Sequence, residues 1–226
     1  MNKELSFILT TIGRKSVLDT FISLSKQIMI DYEIIIVDNT LGNIQPTIEK
    51  LAEQENSDDI KKALASTLFI SSPIQNSVGL SRNQGTVYSR SDYVCYVSDD
   101  CLFDPFFGSS MLKIVEPNVI PICNTTIIDK DTQSIHENLI ENDNIVCLNA
   151  NKVYSSSFII HKDIVKEYPF HLGLKNNLGY KLLDRLSIDD YSFKKVDEQL
   201  HSHLFSNRTW DTYCNEIYKS RYEKIL

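Results

Sequence analysis

The chain has 226 residues, 42% hydrophobic and 23% charged, with a formal net charge of −7 and a sequence pI of about 5.2. That length holds one large domain with a core of its own, and the acidic balance argues against a general nucleic-acid binder, which carries a basic footprint. Five scattered cysteines with no C-x-x-C pair argue against a disulfide framework and against zinc, and favour reduced thiols in a cytoplasmic compartment.

The chain begins Met1-Asn2-Lys3-Glu4 and runs into strand-like sequence, without a basic region followed by an apolar one. No apolar stretch reaches the ~20 residues of a bilayer span. A soluble, cytoplasmic protein is expected, at most peripheral to a membrane.

Leu5–Ile12 is an apolar run of strand length. From Ser16 to Met29, Val17, Phe21, Leu24 and Ile28 recur at helical spacing. Tyr32–Asp38 is β-branched throughout its centre and reads as a strand buried on both faces. A helix within Ile44–Ala65, a short strand at Thr67–Ile70, a helix following Gly79 and a strand at Tyr93–Val97 continue the alternation. That β-α-β rhythm predicts a three-layer α/β domain with a largely parallel sheet.

The second half is less regular. Val119–Asp129 and Ser156–Ile160 read as strands, and Pro169, Gly173 and Gly179 mark a loop-rich stretch before the acidic Ser187–Tyr191. Locally, Asp189-Asp190 reads as the N-cap of a helix with a favourable charge. Thr209–Leu226 reads as a helix with Trp210, Tyr213, Ile217 and Tyr218 on one face. Packing of these aromatics on the domain is preferred over membrane contact. Neither a repeat nor a linker is visible.

In an open parallel sheet, ligands bind outside the carboxyl ends of the strands. Three polar clusters fall there: Thr10, Thr11 and Arg14; Asp38-Asn39-Thr40; and Ser98-Asp99-Asp100. Their equivalent positions predict one cleft. Paired carboxylates at the end of an apolar strand repel unless a cation sits beside them, and Mg2+ or Mn2+ favours carboxylate oxygens together with phosphate. Strand alternation places Asp100 on the side of Ser98, away from Asp99. In Asn76–Gly85, a helix start carries Arg82, whose planar fork suits phosphate. Each piece has a plainer reading, as a strand-ending turn or a solvated helix start.

Taken together, Leu5–Thr11, Ile34–Thr40, Asn76–Gly85 and Tyr93–Pro105 resemble family 2 glycosyltransferases of the GT-A fold. The matching residues are Val37-Asp38-Asn39-Thr40, then Asn76, Gly79, Ser81-Arg82-Asn83 and Gly85, then Val97-Ser98-Asp99-Asp100. The order and separations agree over roughly the first half of the chain. The resemblance implies a GT-A α/β/α sandwich over a single domain, 1–226, with a nucleotide-sugar half at 1–105 and an acceptor-side half at 106–226.

The resemblance also implies inverting transfer from a nucleotide-diphosphate sugar, most commonly a UDP-sugar, to a glycan or lipid-linked hydroxyl. By carry-over, Asp100 holds Mn2+ or Mg2+ and one of His201 and His203, with His203 preferred, completes its shell, while Asp99 takes a sugar or ribose hydroxyl. Asp38, Thr10 and Thr11 grip base and ribose. Arg14 and Asn76 add donor contacts, and Arg82 steadies the diphosphate. Gly173–Tyr191 resembles the acceptor loop, which makes Asp190 the general base.

Two departures stand out: Ser98 replaces the first Asp of the D-x-D triplet, and Asp189 replaces the Glu before Asp190. They keep a rival in view, a catalytically degenerate GT-A domain that only binds nucleotide or glycan. A sugar nucleotidyltransferase ranks lower, since Thr10–Arg14 has one glycine where that class has a Gly-rich loop.

Overall fold

The computed structural model describes residues 3–40, 42, 44–71, 76–129, 135–138, 154–172, 178–189 and 191–205. A five-stranded sheet lies at its centre. β1 (Leu5–Thr11) pairs in parallel with β2 (Tyr32–Asp38) and with β4 (Tyr93–Ser98), and β2 pairs in parallel with β3 (Thr67–Ser71). A two-residue β8 (Ile160–His161) closes the β4 edge antiparallel, giving the order β3-β2-β1-β4-β8.

Every residue of β1 and β2 is buried, as expected of strands covered on both faces. Alternation divides them between two cores. Leu5, Phe7 and Leu9 join Ile34 and Ile36 beneath α1 (Ser16–Ser25), α2 (Ile44–Glu55), α3 (Asp58–Ala65) and α5 (Phe107–Leu112). Ile8, Ile35, Val37 and Tyr96 face the other way, toward α6 (Lys162–Glu167) and α7 (Leu178–Leu186). The fold is the three-layer α/β sandwich that the sequence rhythm predicts, as the resemblance to the GT-A fold implies.

Beside it, β5 (Cys101–Phe103), β9 (Ser192–Phe205), β6 (Val119–Asp129) and β7 (Ile135–Asn138) form a second sheet in that order. Here β6 and β9 run parallel, with a register shift between Cys123 and Thr125.

Some expectations change. The helix predicted to Met29 stops at Ser25, because Gln27 bonds the carbonyl of Asp104 and the N–H of Gly108, and Ile28 donates to Pro105. Those contacts draw the chain off the helical path, and Met29 takes φ +60°. The helical region from Ile44 to Ala65 is two helices, broken at Asn56 with φ +47°, a left-handed conformation that Asn tolerates.

The strand predicted over Ser156–Ile160 shrinks to β8. Its first part is instead a turn in which Ser157 N donates to Tyr154 O, and the Ser155 and Ser156 side chains point to other partners. Gly179, read as loop, lies in α7. Asp189 is not at a helix start: it follows the end of α7, and β9 comes next. Gly173, Asp190 and the segment from Thr209 to Leu226 lie outside the described residues.

One helix, α4 (Val78–Tyr88), ties distant parts together. Ser77 caps it by accepting from Leu80 N, the usual task of an N-cap serine. A Cβ on Gly85 would lie 2.3 Å from Ile8 Cγ2, and one on Gly79 would lie 2.7 Å from the His171 carbonyl. Both glycines therefore allow close approach, of the helix to β1 and of the chain around His171 to the helix.

Candidate active site

The carboxyl ends of β1 and β4 meet at Asp99 and Asp100. β4 ends at Ser98, so the two aspartates occupy a turn, and the alternation expected of a continuing strand does not separate them. Both are buried and both reach the same guanidinium. Arg14 Nη1 lies 3.0 Å from Asp99 Oδ1 and 2.9 Å from Asp100 Oδ2. Asp99 Oδ2 also accepts from Thr11 Oγ1 at 2.7 Å and from Ile12 N at 3.2 Å.

Burial pushes the Asp99 carboxyl above the usual carboxylate range, Arg14 pulls it back, and Asp100 pushes it up again. The internal cation thus answers the repulsion expected of the pair.

The second sheet supplies the rest. β5 follows the Asp99–Asp100 turn and pairs antiparallel with β9, setting Cys101 opposite His203. His203 Nδ1 lies 3.5 Å from Asp100 Oδ1 and 3.5 Å from Cys101 Sγ. One donor atom from each of Asp100, Cys101 and His203 lies within 4.8 Å of the others, and all three residues are buried. Burial, followed by the Asp100 charge, pushes the Cys101 thiol upward. The ring of Tyr154 lies against that of His203 with centroids 4.9 Å apart, and Ser156 Oγ is 3.4 Å from Cys101 Sγ. Cys101 and Ser156 carried no sequence signal. Cys101 and His203 are 102 residues apart, and only strand pairing joins them.

His201 points into the protein: its Nδ1 is 3.2 Å from Thr125 Oγ1 and its Nε2 has no hydrogen-bond partner among the described residues. Burial, followed by the nearby His203, holds it well below the usual imidazole range.

Other sequence-predicted residues are placed differently. The Asp38 carboxylate faces its own loop, accepting from Thr40 N at 2.7 Å and from Ile44 N at 3.1 Å, the latter at the start of α2. Thr10 is buried, with its hydroxyl 3.5 Å from the Val97 carbonyl. Asn76 N donates to Asn39 Oδ1 at 3.4 Å.

The Ser81-Arg82-Asn83 motif bonds to protein. Ser81 meets Asn39, Arg82 Nη2 donates to Ser155 Oγ at 2.6 Å, and Asn83 bonds both backbone groups of Phe170. Arg82 is only 4% exposed, under the rings of Tyr96 and Phe170. Its Nη2 makes an internal joint between α4 and the Tyr154–Ser157 turn.

Asp189, just past the end of α7, stands apart from this cluster. Asp190 lies outside the described residues. Asp189 is exposed and accepts a hydrogen bond from the Tyr168 hydroxyl, which raises that phenol's pKa. Tyr191 lines a cavity with Tyr93 and His161, at the amino end of β4. Ser192 pairs with Val119 and His203 pairs with Ile127. The path along β6 between those pairings is roughly 25 Å at 3.3 Å per residue. Asp189 is therefore at the opposite end of the sheet from Asp100, out of the hydrogen-bond reach that a general base at this site needs. α7 instead brings its first turn to the site side, where a Cβ on Gly179 would lie 2.8 Å from Ser155 Cα.

Among solved structures, S. aureus TarS 1–349 superposes with a TM-score of 0.69 at 12% identity, over 89% of this chain and 60% of that one. Its complex with UDP-GlcNAc gives 0.70 at 12% identity, over 89% and 58%. The complex with UDP gives 0.68 at 12%, over 92% and 62%. The chain thus spans less than two thirds of those proteins, and at such identity the likeness is one of fold. No curated protein matches by sequence. The sequence profile of glycosyl transferase family 2, however, matches residues 6–185, the stretch that builds the parallel sheet, the Arg14–Asp99–Asp100 cluster and the helices flanking it. The chain belongs to glycosyl transferase family 2 and has the GT-A fold.

Proposed function

We propose that the protein transfers a sugar from a nucleotide-diphosphate donor, a UDP-sugar, to the hydroxyl of a glycan or lipid-linked acceptor, with inversion, in the synthesis of a surface polysaccharide. The observation that carries this reading is the meeting of Thr11, Arg14, Asp99, Asp100 and His203 at the carboxyl ends of β1 and β4, where open α/β sheets take their ligands. The crystallised complexes of S. aureus TarS with UDP and UDP-GlcNAc favour this donor class.

A divalent cation, Mn2+ or Mg2+, fits here because Asp100 Oδ1 and His203 Nδ1 converge while Asp100 Oδ2 is held by Arg14. Bound there, it supplies Lewis-acid stabilisation of the departing diphosphate. Arg14 fixes the orientation of both carboxylates and keeps Asp99 turned to the Thr11 hydroxyl and the Ile12 N–H. Thr11, Asp99 and the nearby Asn39–Thr40 turn border the space beyond the strand ends that is offered to ribose and base. Asp189, at the other end of the sheet, takes no part in transfer.

Titration calorimetry with UDP, with and without Mn2+, tests the reading on wild type and Asp100→Ala. UDP binding that needs both the cation and Asp100 is the expected result, followed by slow hydrolysis of a UDP-sugar. Failure of UDP, GDP, dTDP and CMP to bind would sink it.

A further inference from the structure

The proposed metal site has a third inward-facing donor that carboxylate chemistry does not require. We propose that Cys101 is a metal ligand, so that Asp100, Cys101 and His203 form a mixed oxygen, sulfur and nitrogen site selective for a thiophilic divalent cation such as Zn2+ or Co2+. This inference rests on the reading that the donor's cation sits at Asp100 and His203.

The geometry is on one strand pair. β5 leaves the Asp99–Asp100 turn directly into Cys101, and its antiparallel register with β9 puts Cys101 across from His203. Sγ is 3.5 Å from His203 Nδ1 and 3.9 Å from Asp100 Oδ1, and the three donors lie within 4.8 Å of one another. Donor atoms spaced in this way can each bond one cation held among them at the roughly 2.0–2.3 Å distances of a tetrahedral site. The surroundings suit a site of this kind. Ser156 Oγ is 3.4 Å from the sulfur, the Tyr154 ring packs on His203, and Arg14 holds the outer oxygen of Asp100. Such partners orient ligands and tune their basicity.

Hard cations prefer oxygen, while a thiolate beside an imidazole suits Zn2+ and its neighbours. On binding, the Cys101 S–H proton passes to buffer and the sulfur lone pair forms the metal bond. Three protein ligands leave the fourth tetrahedral position to a diphosphate oxygen or water. The sequence argued against zinc because it lacks clustered cysteines. That argument addresses ligands close in sequence, and these lie 102 residues apart.

The test is the spectrum of the full chain loaded with Co2+, with metal affinities by competition titration. A thiolate-to-cobalt charge-transfer band is expected in wild type. It is lost in Cys101→Ser and kept in Cys123→Ser, the control for a buried thiol elsewhere. Zn2+ outranks Mn2+ at most nitrogen and oxygen sites, so the decisive number is the change in selectivity. The Zn2+ to Mn2+ affinity ratio should fall by at least about tenfold in Cys101→Ser, as even outer-shell losses cost that much in affinity.

If Cys101→Ser does not fold, His203→Ala serves, and it should lose or strongly weaken the band. A wild type without the band, or a band that survives in Cys101→Ser, overturns the cysteine's role. If Asp100→Ala still abolishes metal binding in that case, the underlying site stands and only the cysteine is wrong. If Asp100→Ala binds metal as wild type does, both fall.

Discussion

The Arg14 guanidinium lies 2.9 Å from Asp100 Oδ2, while Asp100 Oδ1 faces His203 Nδ1 at 3.5 Å. One carboxylate is thereby shared between a fixed cation and a donor cluster. Arg14→Ala should leave Asp99 and Asp100 repelling each other in a buried turn. The expected loss is about 2 kcal/mol, below the range for breaking a fully buried pair because solvent reaches Arg14. A divalent cation should restore most of it. Thermal unfolding with and without Mn2+ or Zn2+ checks this: the variant's midpoint should rise more with metal than that of wild type. A variant as stable as wild type without metal would show that Arg14 does not offset the repulsion.

Asp100→Asn keeps the volume but loses the charge that would bind the cation. Turnover should drop by at least about a hundredfold, the scale seen when one electrostatic stabiliser of a leaving or attacking group is removed. UDP affinity should also stop responding to metal. Steady-state kinetics together with calorimetry measure both, and a metal response unchanged in the variant would move the cation elsewhere.

Asp189→Asn tests the separation of the two sheet ends. Asp189 is exposed, bonded by Tyr168, and lies near the amino end of β4. Turnover should stay within about twofold, since exposed changes away from a site shift energies by about 0.5 kcal/mol or less. A loss of several orders of magnitude would mean that the acidic pair reaches the acceptor after all.

His201 predicts a pH effect. Burial holds its folded pKa well below the ordinary value of 6.5. As pH falls below 6.5 the unfolded chain takes up a proton that the folded chain refuses. Stability present above that pH is then lost, by up to about 1.4 kcal/mol per pH unit, until the lowered folded pKa is reached. His201→Gln should flatten the curve of denaturation midpoint against pH in that window. Equal slopes in the two proteins would mean that His201 is already protonated in the fold or not buried as described.

The sheet was legible because buried parallel strands are written as continuous apolar runs, and Tyr32–Asp38 matches its strand end to end. Asp100 was legible as part of a carboxylate pair at a strand end and His203 only through a family pattern, while their partner Cys101 was not, because strand register across 102 residues leaves no local trace. The Asn76–Gly85 motif was seen but its bonds to the protein were not, because hydrogen-bonding side chains at a helix start look alike whether they face ligand or protein. The helix-start reading of Asp189 fails for a related reason. Adjacent carboxylates before an aromatic residue fit both ends of a helix, and the side on which the helix lies is a tertiary fact.

The contacts of α4 also set the order in which the site can assemble. Ser81 reaches Asn39 across 42 residues, Arg82 reaches Ser155 across 73, and Asn83 reaches Phe170 across 87. The Arg82 and Asn83 joints cannot close until later portions of the chain have been made and brought back, at the entropic cost that slows folds rich in non-local contacts. During synthesis, β1 to β4 can therefore exist with the roof over Arg82 still missing. The surroundings of the Asp99–Asp100 turn are complete only when β9 is seated beside β5, which sets His203 opposite Cys101.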